Sequence, residues 1–316
     1  MHDGGVLVHL DTDFGGDPDD AAALVALLGR DDVDLVGVTT NLEVAGRRAG
    51  CAGHYLCLAG RTDVPVAAGA PQPDVPERYE PTWGDPRCWP DPVEPAPGPV
   101  GAALDLLDAS IAAGATVCTI GALTNLAVLE QRSPGRLRDV RVVTMGGWVD
   151  PFADDLPAWG PERDFNLQVD VGAAVAVLGA GAQLTLVQLP AAARAQLRAS
   201  DLDRLRRAGP MGELLERQSL AHRDAVGHAT LAAEHAGLAD DLVNFHWDPV
   251  TAAVAVGWPG ATVTGRRLRI SVDAGGSLLM RDDPAGVTVD VVEHVDGAAF
   301  TPWWLGSVES AHVEAA

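Results

Sequence analysis

The sequence predicts an α/β protein, a single domain over residues 1–316 with a mostly parallel central sheet flanked by helices. Three observations carry that expectation. Short apolar runs recur without polar alternation, as strands covered on both faces require. These runs alternate with helix-like stretches from residue 6 onward, the order expected of strand–helix–strand units. No repeat or linker divides the 316 residues, and 47% hydrophobic content allows one large core or two modest ones.

The elements follow in order. Residues 6–10 form the first strand. Asp17-Pro18-Asp19-Asp20 opens a helix, with Asp17 suited to the N-cap and Pro18 to the first helical position; AAALVALLG then runs to Gly29. A strand at 33–39, a helix at 47–58 and a short strand at 64–68 continue the alternation. Residues 70–99 break it: they hold ten prolines with Tyr79, Trp83 and Trp89, and so long an aperiodic stretch with aromatics predicts a structured lid. A helix at 101–112, a strand at 115–120, a helix from Leu123 and a strand at 140–145 ending at Gly146-Gly147 resume the pattern. A second irregular stretch, 148–163, leads into DFNLQVD and the helix-like VGAAVAVLG. Then come a strand at 182–188 and a mostly helical 201–239, broken at Gly209-Pro210 and near Gly227. A helix near Pro249, strands at 261–271 and 286–292, and a terminal helix at 298–308 complete the chain.

Bulk composition excludes several functions. The formal charge is −22, from 22 basic and 44 acidic residues, and every basic residue is arginine. Nucleic acid and anionic membrane both need basic surface, so neither is expected as a partner. Without lysine there is no Schiff base and no lysine general base. Cys51, Cys57, Cys88 and Cys118 form no C-x-x-C pair and no zinc spacing; they are expected as free thiols in a reducing compartment. With no signal-peptide pattern and no apolar run near ~18 residues, a cytoplasmic protein is expected.

Chemistry concentrates in VHLDTDFGGDPDDAAAL, residues 8–24, where Asp11, Asp13, Asp17, Asp19 and Asp20 fall within ten positions. Carboxylates so crowded repel one another unless a helix N-terminus or a cation offsets them. Oxygen donors around a glycine turn suit a hard cation, Ca²⁺ or Mg²⁺. Asp11 and Asp13 are two apart and point the same way from an extended segment. Asp17 could equally be a simple cap, and Asp248 before Pro249 another. Ligands bind beyond the carboxyl ends of strands in open α/β sheets; Asp11, Asp13, Asn41, Ile120 with Gly121, and the stretch after Gly147 all fall there. Asp164, Asn166 and Asp170 in RDFNLQVD are equipped to hold sugar hydroxyls. His222, His228 and His235 lie in the helical stretch, the last two spaced to share a face.

DTDFGGDPDDAAAL resembles the N-terminal signature D-x-D-x-G-x-D-D of the inosine–uridine-preferring nucleoside hydrolase family. GVTT at 37–40, GALTNLA at 121–127, MGG at 145–147, DFNLQVD at 164–170 and WDPVTAAVA at 247–255 are similar to further family motifs, in family order. The resemblance implies a nucleoside hydrolase-like fold, a bound Ca²⁺, a nucleoside substrate cleaved to free base and ribose, and a homodimer or homotetramer. It implies Asp13 as the general base and a metal ligand, with Asp20, Asp248 and the Ile120 carbonyl as further ligands. Asp19 is implied as acceptor of the ribose 2′ and 3′ hydroxyls, Asp11 as the supporting acid, and Asp164 (where the family has glutamate) with Asn166 as holders of the ribose and its 5′ end.

The chain also departs from the family pattern. Two extra residues between Gly15 and Asp19 make Asp17 a further metal candidate. NLEVAG offers Asn41 or Glu43 where a polar residue usually follows the second strand. Trp247 stands directly before Asp248 where pyrimidine-preferring members have histidine, with His246 one place earlier, and Trp83-Gly84 replaces the lid's His-Gly. A Trp247 in the pocket would stack on a purine-like base. Two other readings fit parts of the sequence: a metal-containing nucleoside- or ribose-binding protein with little or no turnover, and a Mg²⁺ phosphatase of the haloacid-dehalogenase type, suggested by LDTDFG but lacking the usual lysine.

Overall fold

The computed structural model describes residues 5–71 and 82–311. Its first half is a run of strand–helix units: β1 (Val6–Thr12), α1 (Asp19–Leu28), β2 (Val33–Thr40), α2 (Arg47–Leu58), β3 (Val66–Ala68), α3 (Val100–Ala112), β4 (Thr116–Thr119), α4 (Thr124–Arg132) and β5 (Arg141–Met145). Two short helices, α5 (Phe165–Gln168) and α6 (Val171–Leu178), precede β6 (Gln183–Val187) and α7 (Leu189–Ala192). Next come β7 (Gln196–Arg198), α8 (Leu202–Arg207), α9 (Pro210–Val226), α10 (His228–Glu234), β8 (Leu242–Phe245) and α11 (Trp247–Ala255). Three strands, β9 (Ala261–Val272), β10 (Leu278–Asp282) and β11 (Val287–Val295), and the closing α12 (Gly297–Ser310) finish the described chain.

The nine-stranded sheet runs β10-β9-β11-β6-β5-β4-β1-β2-β3. Every pairing from β11 through β6 to β3 is parallel, and only β9 with its neighbours β10 and β11 is antiparallel. Strand order reverses between β1 and β4: from β1 the chain moves outward to β2 and β3, from β4 the other way to β5 and β6. A crevice therefore opens at the carboxyl ends of β1 and β4, where doubly wound sheets bind ligands. Asp11 sits opposite Thr39 of β2 and Thr119 of β4, so the acidic segment leaves the sheet at that crevice.

Helix α1 presses its apolar run against α11 and α12 and is buried from Asp19 to Leu27. The indole N–H of Trp304, a fully buried side chain on α12, donates to the Ala22 carbonyl at 3.0 Å. Gly29 ends α1 where a Cβ would lie 1.7 Å from the Ser307 carbonyl oxygen, so only glycine permits that approach. Both acids of the first turn are thereby held at a fixed height above the sheet.

Several expectations were refined. β1 and β2 run on to Thr12 and Thr40, because hydrogen bonds to Thr39, Asn41 and Asn125 satisfy the polar Asp11 inside the sheet. The pair β7–β8 and the edge strand β10 were not anticipated; at three to five residues each, they owe their form to cross-strand partners, not to local pattern. Within the expected lid, residues 72–81, including Tyr79, lie outside the described residues. The remainder is packed: Thr82 donates from its N–H (2.9 Å) and hydroxyl (2.8 Å) to the Gly15 carbonyl, and Ala96 N–H donates to Gly46 at 2.8 Å. All four cysteines are free, with Cys57 exposed and the others buried. Among the described residues no helix is long and apolar enough to cross a membrane.

Candidate active site

At the switch point β1 delivers its acids at two levels. Asp11, the deeper, accepts from Thr39 Oγ1 (2.6 Å), Asn125 Nδ2 (2.6 Å) and Asn41 Nδ2 (2.9 Å). Burial pushes its carboxyl up to about 6, with those three donors opposing. Asn41 also accepts the Ala122 N–H at 3.0 Å, which ties the loop after β4 to β1. Glu43 accepts the backbone N–H groups of Val44 (2.8 Å), Arg48 (3.1 Å) and Ala49 (3.1 Å) and so caps α2. Asp11, Asn41 and Glu43 thus shape the floor from beneath and do not line the cavity above it.

That cavity, about 1210 Å³ counted to its open mouth, is lined at one end by Asp13, Asp19, Asp20 and Asp248. One carboxylate oxygen each from Asp19, Asp20 and Asp248 lies within 4.8 Å of the others, and all three side chains are buried. Two unit charges about 4 Å apart repel by roughly 4 kcal/mol at an effective dielectric near 20. Asp19 and Asp20 occupy the first turn of α1 and Asp248 that of α11, but a helix dipole returns only about 0.3–1 kcal/mol. Repulsion wins. Burial first, then the neighbouring acids, hold all three well above the usual carboxylate range. Asp13 is raised by burial while the Arg48 guanidinium opposes. Thr12 donates its hydroxyl to Asp20. An all-oxygen, hard donor set of this kind fits a Ca²⁺- or Mg²⁺-like cation.

Arg48, on the first turns of α2, is the positive group in this wall. It donates to the Asp13 carbonyl, to the Phe14 carbonyl (3.0 Å) and to the Leu42 carbonyl (2.8 Å), and its guanidinium lies 5.5 Å from the centre of the Trp83 ring. Trp83 itself packs against Gly15, where an added Cβ would lie 3.1 Å from the indole. It braces the acidic loop from outside the cavity.

Another part of the lining is aromatic. Trp247 stacks on Phe245 at 4.6 Å with 24° between ring planes, and Trp159 stands 6.4 Å from Trp247. Arg163 lies over Trp159 at 4.7 Å. His246, adjacent in sequence, turns the other way and packs between Phe300 (5.3 Å) and Trp304 (4.5 Å). Its burial there pushes the imidazole down to about 3, and it does not reach the cavity.

Asp17 pairs with His222 Nε2 at 3.1 Å and accepts from Asn244 Nδ2 at 2.7 Å. Burial would raise Asp17, but His222 and Asn244 outweigh it and hold it below its ordinary value. Its contact with the Asp19 N–H, the expected cap, is long at 3.3 Å. Asp164 accepts the N–H groups of Gly147 (2.8 Å) and Leu167 (3.3 Å), capping α5, and burial pushes it up to about 6. Asn166 Nδ2 donates to the carbonyls of Ile120 (3.0 Å), just after β4, and Met145 (3.1 Å), the last residue of β5. Asp170 caps α6 through the Ala173 N–H (3.0 Å).

The profile of the family described as "Inosine-uridine preferring nucleoside hydrolase" matches residues 8–302. The chain belongs to that family. It is 32% identical over 232 residues to the pyrimidine-specific ribonucleoside hydrolase RihA of Shewanella woodyi, covering 68% of this chain and 72% of that one. It is 30% identical over 221 residues to RihA of Photobacterium profundum, covering 65% and 70%. A solved plant nucleoside hydrolase superposes with a TM-score of 0.79 at 22% identity, over 96% of this chain and 99% of that one. A purine-preferring ribonucleoside hydrolase from Gardnerella vaginalis gives 0.75 at 20%, over 97% and 99%. This nucleoside hydrolase is therefore an enzyme acting on the N-glycosidic bond of ribonucleosides, and the phosphatase alternative falls away.

The hydrolase gathers most of its sequence candidates around one cavity: Asp13, Asp17, Asp19, Asp20, Ile120, Asp164, Asn166, Trp247 and Asp248 line it, whereas Asp11, Asn41, Glu43, Trp83 and His246 do not. His222 and His228 line it too, but His235 does not. Sequence reasoning missed Arg48, Arg163, Asn244 and Trp159. Asn244 had a signal in hindsight, a polar residue in an otherwise apolar LVNF; Arg48 had none.

Proposed function

We propose that this enzyme hydrolyses ribonucleosides, purine ribonucleosides foremost, with a bound Ca²⁺. The observation that carries the reading is the buried triplet of Asp19, Asp20 and Asp248 oxygens within 4.8 Å at the acidic end of the cavity. Asp13, Asp20, Asp248 and the Ile120 carbonyl would hold the cation; that carbonyl already accepts from Asn166 and keeps a second lone pair. When bound, the cation supplies a Lewis acid that orients oxygen ligands and acidifies water.

The chain's own residues divide the remaining work. Asp13 takes a proton from the water that attacks the anomeric carbon. Asp19 accepts hydrogen bonds from the ribose 2′ and 3′ hydroxyls. Asp164 and the amide oxygen of Asn166 hold the ribose toward its 5′ end, since each keeps acceptor capacity beyond its backbone contacts. The transition state is a cation-like sugar, which the surrounding carboxylates stabilise. The stacked Trp247 and Phe245 offer a flat face broad enough for a bicyclic base.

The test is release of free base and ribose from purine, pyrimidine and nicotinamide ribosides, with Ca²⁺ present and after chelation. Cleavage that is fastest for purines and lost on chelation is expected. Chelator-resistant cleavage would remove the cation from the mechanism, and a pyrimidine-first ranking would overturn the base preference. For Trp247→Ala, kcat/KM on purine ribosides should fall by ~10-fold or more, since base–aromatic stacking is worth about 1–3 kcal/mol, while bound Ca²⁺ is unchanged. Equal loss of activity and Ca²⁺ would mean that Trp247 supports the metal loop.

A further inference from the structure

A departing base leaves with the electron pair of the broken C–N bond, and a proton delivered to it in the transition state typically contributes ~10²–10⁴-fold. Trp247, directly before Asp248, cannot deliver one, and His246 is sealed between Phe300 and Trp304. Two other imidazoles reach the cavity, His222 on α9 and His228 at the start of α10. They stand at the end of the aromatic wall: the His222 ring lies 5.6 Å from His228, and His228 lies 5.3 Å from Phe245, which carries Trp247.

Their hydrogen bonds separate them. His228 Nδ1 is 2.9 Å from the Val243 carbonyl. That oxygen can only accept, so the proton of the neutral ring sits on Nδ1, and Nε2 is left as an acceptor. Burial favours that neutral form. His222 instead sets Nε2 against a carboxylate, Asp17 Oδ2, at 3.1 Å, and its side chain is only 12% exposed. The other oxygen of Asp17 is fixed by the Asn244 amide at 2.7 Å. A buried carboxylate held this way orients the imidazole and stabilises its protonated form, as in other carboxylate–histidine pairs. No other hydrogen-bond partner occupies His222 among the described residues.

We infer that His222 is the general acid that protonates the departing base, with Asp17 as its positioning residue. The inference rests on the ribonucleoside-hydrolase reading above. In the step, the water oxygen bonds to the anomeric carbon and loses a proton to Asp13. The C–N bond breaks with its electron pair passing into the base, and the base takes the proton of the His222 imidazolium. Asp13 ends protonated and His222 neutral, so returning one proton through solvent restores both.

The experiment compares a purine riboside, whose leaving group needs a proton, with p-nitrophenyl β-D-ribofuranoside, whose nitrophenolate departs as an anion. For His222→Gln we expect kcat on the purine riboside to fall ~10²-fold or more, while p-nitrophenyl riboside hydrolysis falls less than ~3-fold. Asp17→Asn should show the same split at smaller size, ~10-fold, because it keeps the side-chain shape but removes the charge. Retained p-nitrophenyl riboside hydrolysis also reports an intact fold and ribose site. Equal loss on both substrates in both variants would make the pair structural and overturn the assignment, as would unchanged purine riboside turnover in His222→Gln. If the wild-type chain cleaves neither substrate, the ribonucleoside reading itself fails and takes the acid assignment with it.

Discussion

Replacing Asp13 by asparagine is expected to lower kcat on the best ribonucleoside by at least ~10²-fold while leaving the fold in place. The expectation follows from how Asp13 is held. Arg48 bonds to its backbone carbonyl, not to its side chain, so an isosteric amide leaves the loop anchored. The carboxylate lines the cavity beside Asp19, Asp20 and Asp248, where an amide cannot accept a proton from water. A hundredfold loss corresponds to about 2.7 kcal/mol of transition-state stabilisation. Steady-state kinetics alongside thermal unfolding will separate the two effects. Near-normal turnover would remove Asp13 from proton transfer, and a collapsed Tm would show that its carboxylate is structural.

Ca²⁺ is expected to raise the melting temperature, and the gain should depend on pH. Asp19, Asp20 and Asp248 are held well above the ordinary carboxylate range, and burial brings Asp11 and Asp164 to about 6. For such groups the folded state binds more protons than the unfolded state between an unfolded pKa near 3.9 and the folded value. Cation-free protein should therefore lose stability as pH rises from about 4, through about 6 for Asp11 and Asp164 and onward above that for the acidic triplet. A cation replaces the protons, so its benefit should be largest near pH 7 and shrink toward pH 5. At a concentration near 100 times Kd the linkage is about 2.7 kcal/mol, which translates to roughly 4 °C for a chain of this size. Differential scanning with and without Ca²⁺ at pH 5, 6 and 7 measures this directly. An unchanged Tm at pH 7, or a gain that grows on acidification, would contradict the assignment of the acidic cluster as a cation site.

Much of this was legible from residue order. Unbroken apolar runs implied strands covered on both sides, and the sheet has seven consecutive strands joined by parallel pairings. The helix at 47–58 was placed correctly because its flanking glycine and turn residues are local signals. The antiparallel edge was incomplete, since β10 is five residues long and depends on pairing with β9. At the site, Asp13, Asp19 and Asp20 could be grouped from sequence because Gly15-Gly16 turn the chain sharply between them.

What the sequence alone determined is the chemistry available: oxygen donors crowded at a strand exit, no lysine, and family motifs in family order. Tertiary structure decided which groups meet. Asp248 reaches Asp20 across more than two hundred residues because α11 packs beside α1. Asp17, read as a cap or a further metal candidate, is taken by His222 and Asn244 from α9 and β8. His246 and Trp247 are neighbours in the chain, yet one enters the core against Trp304 and the other lines the cavity. Successive side chains at the start of a helix diverge by about 100°, so only the packing of α11 against α1 and the sheet selects which of them faces the substrate.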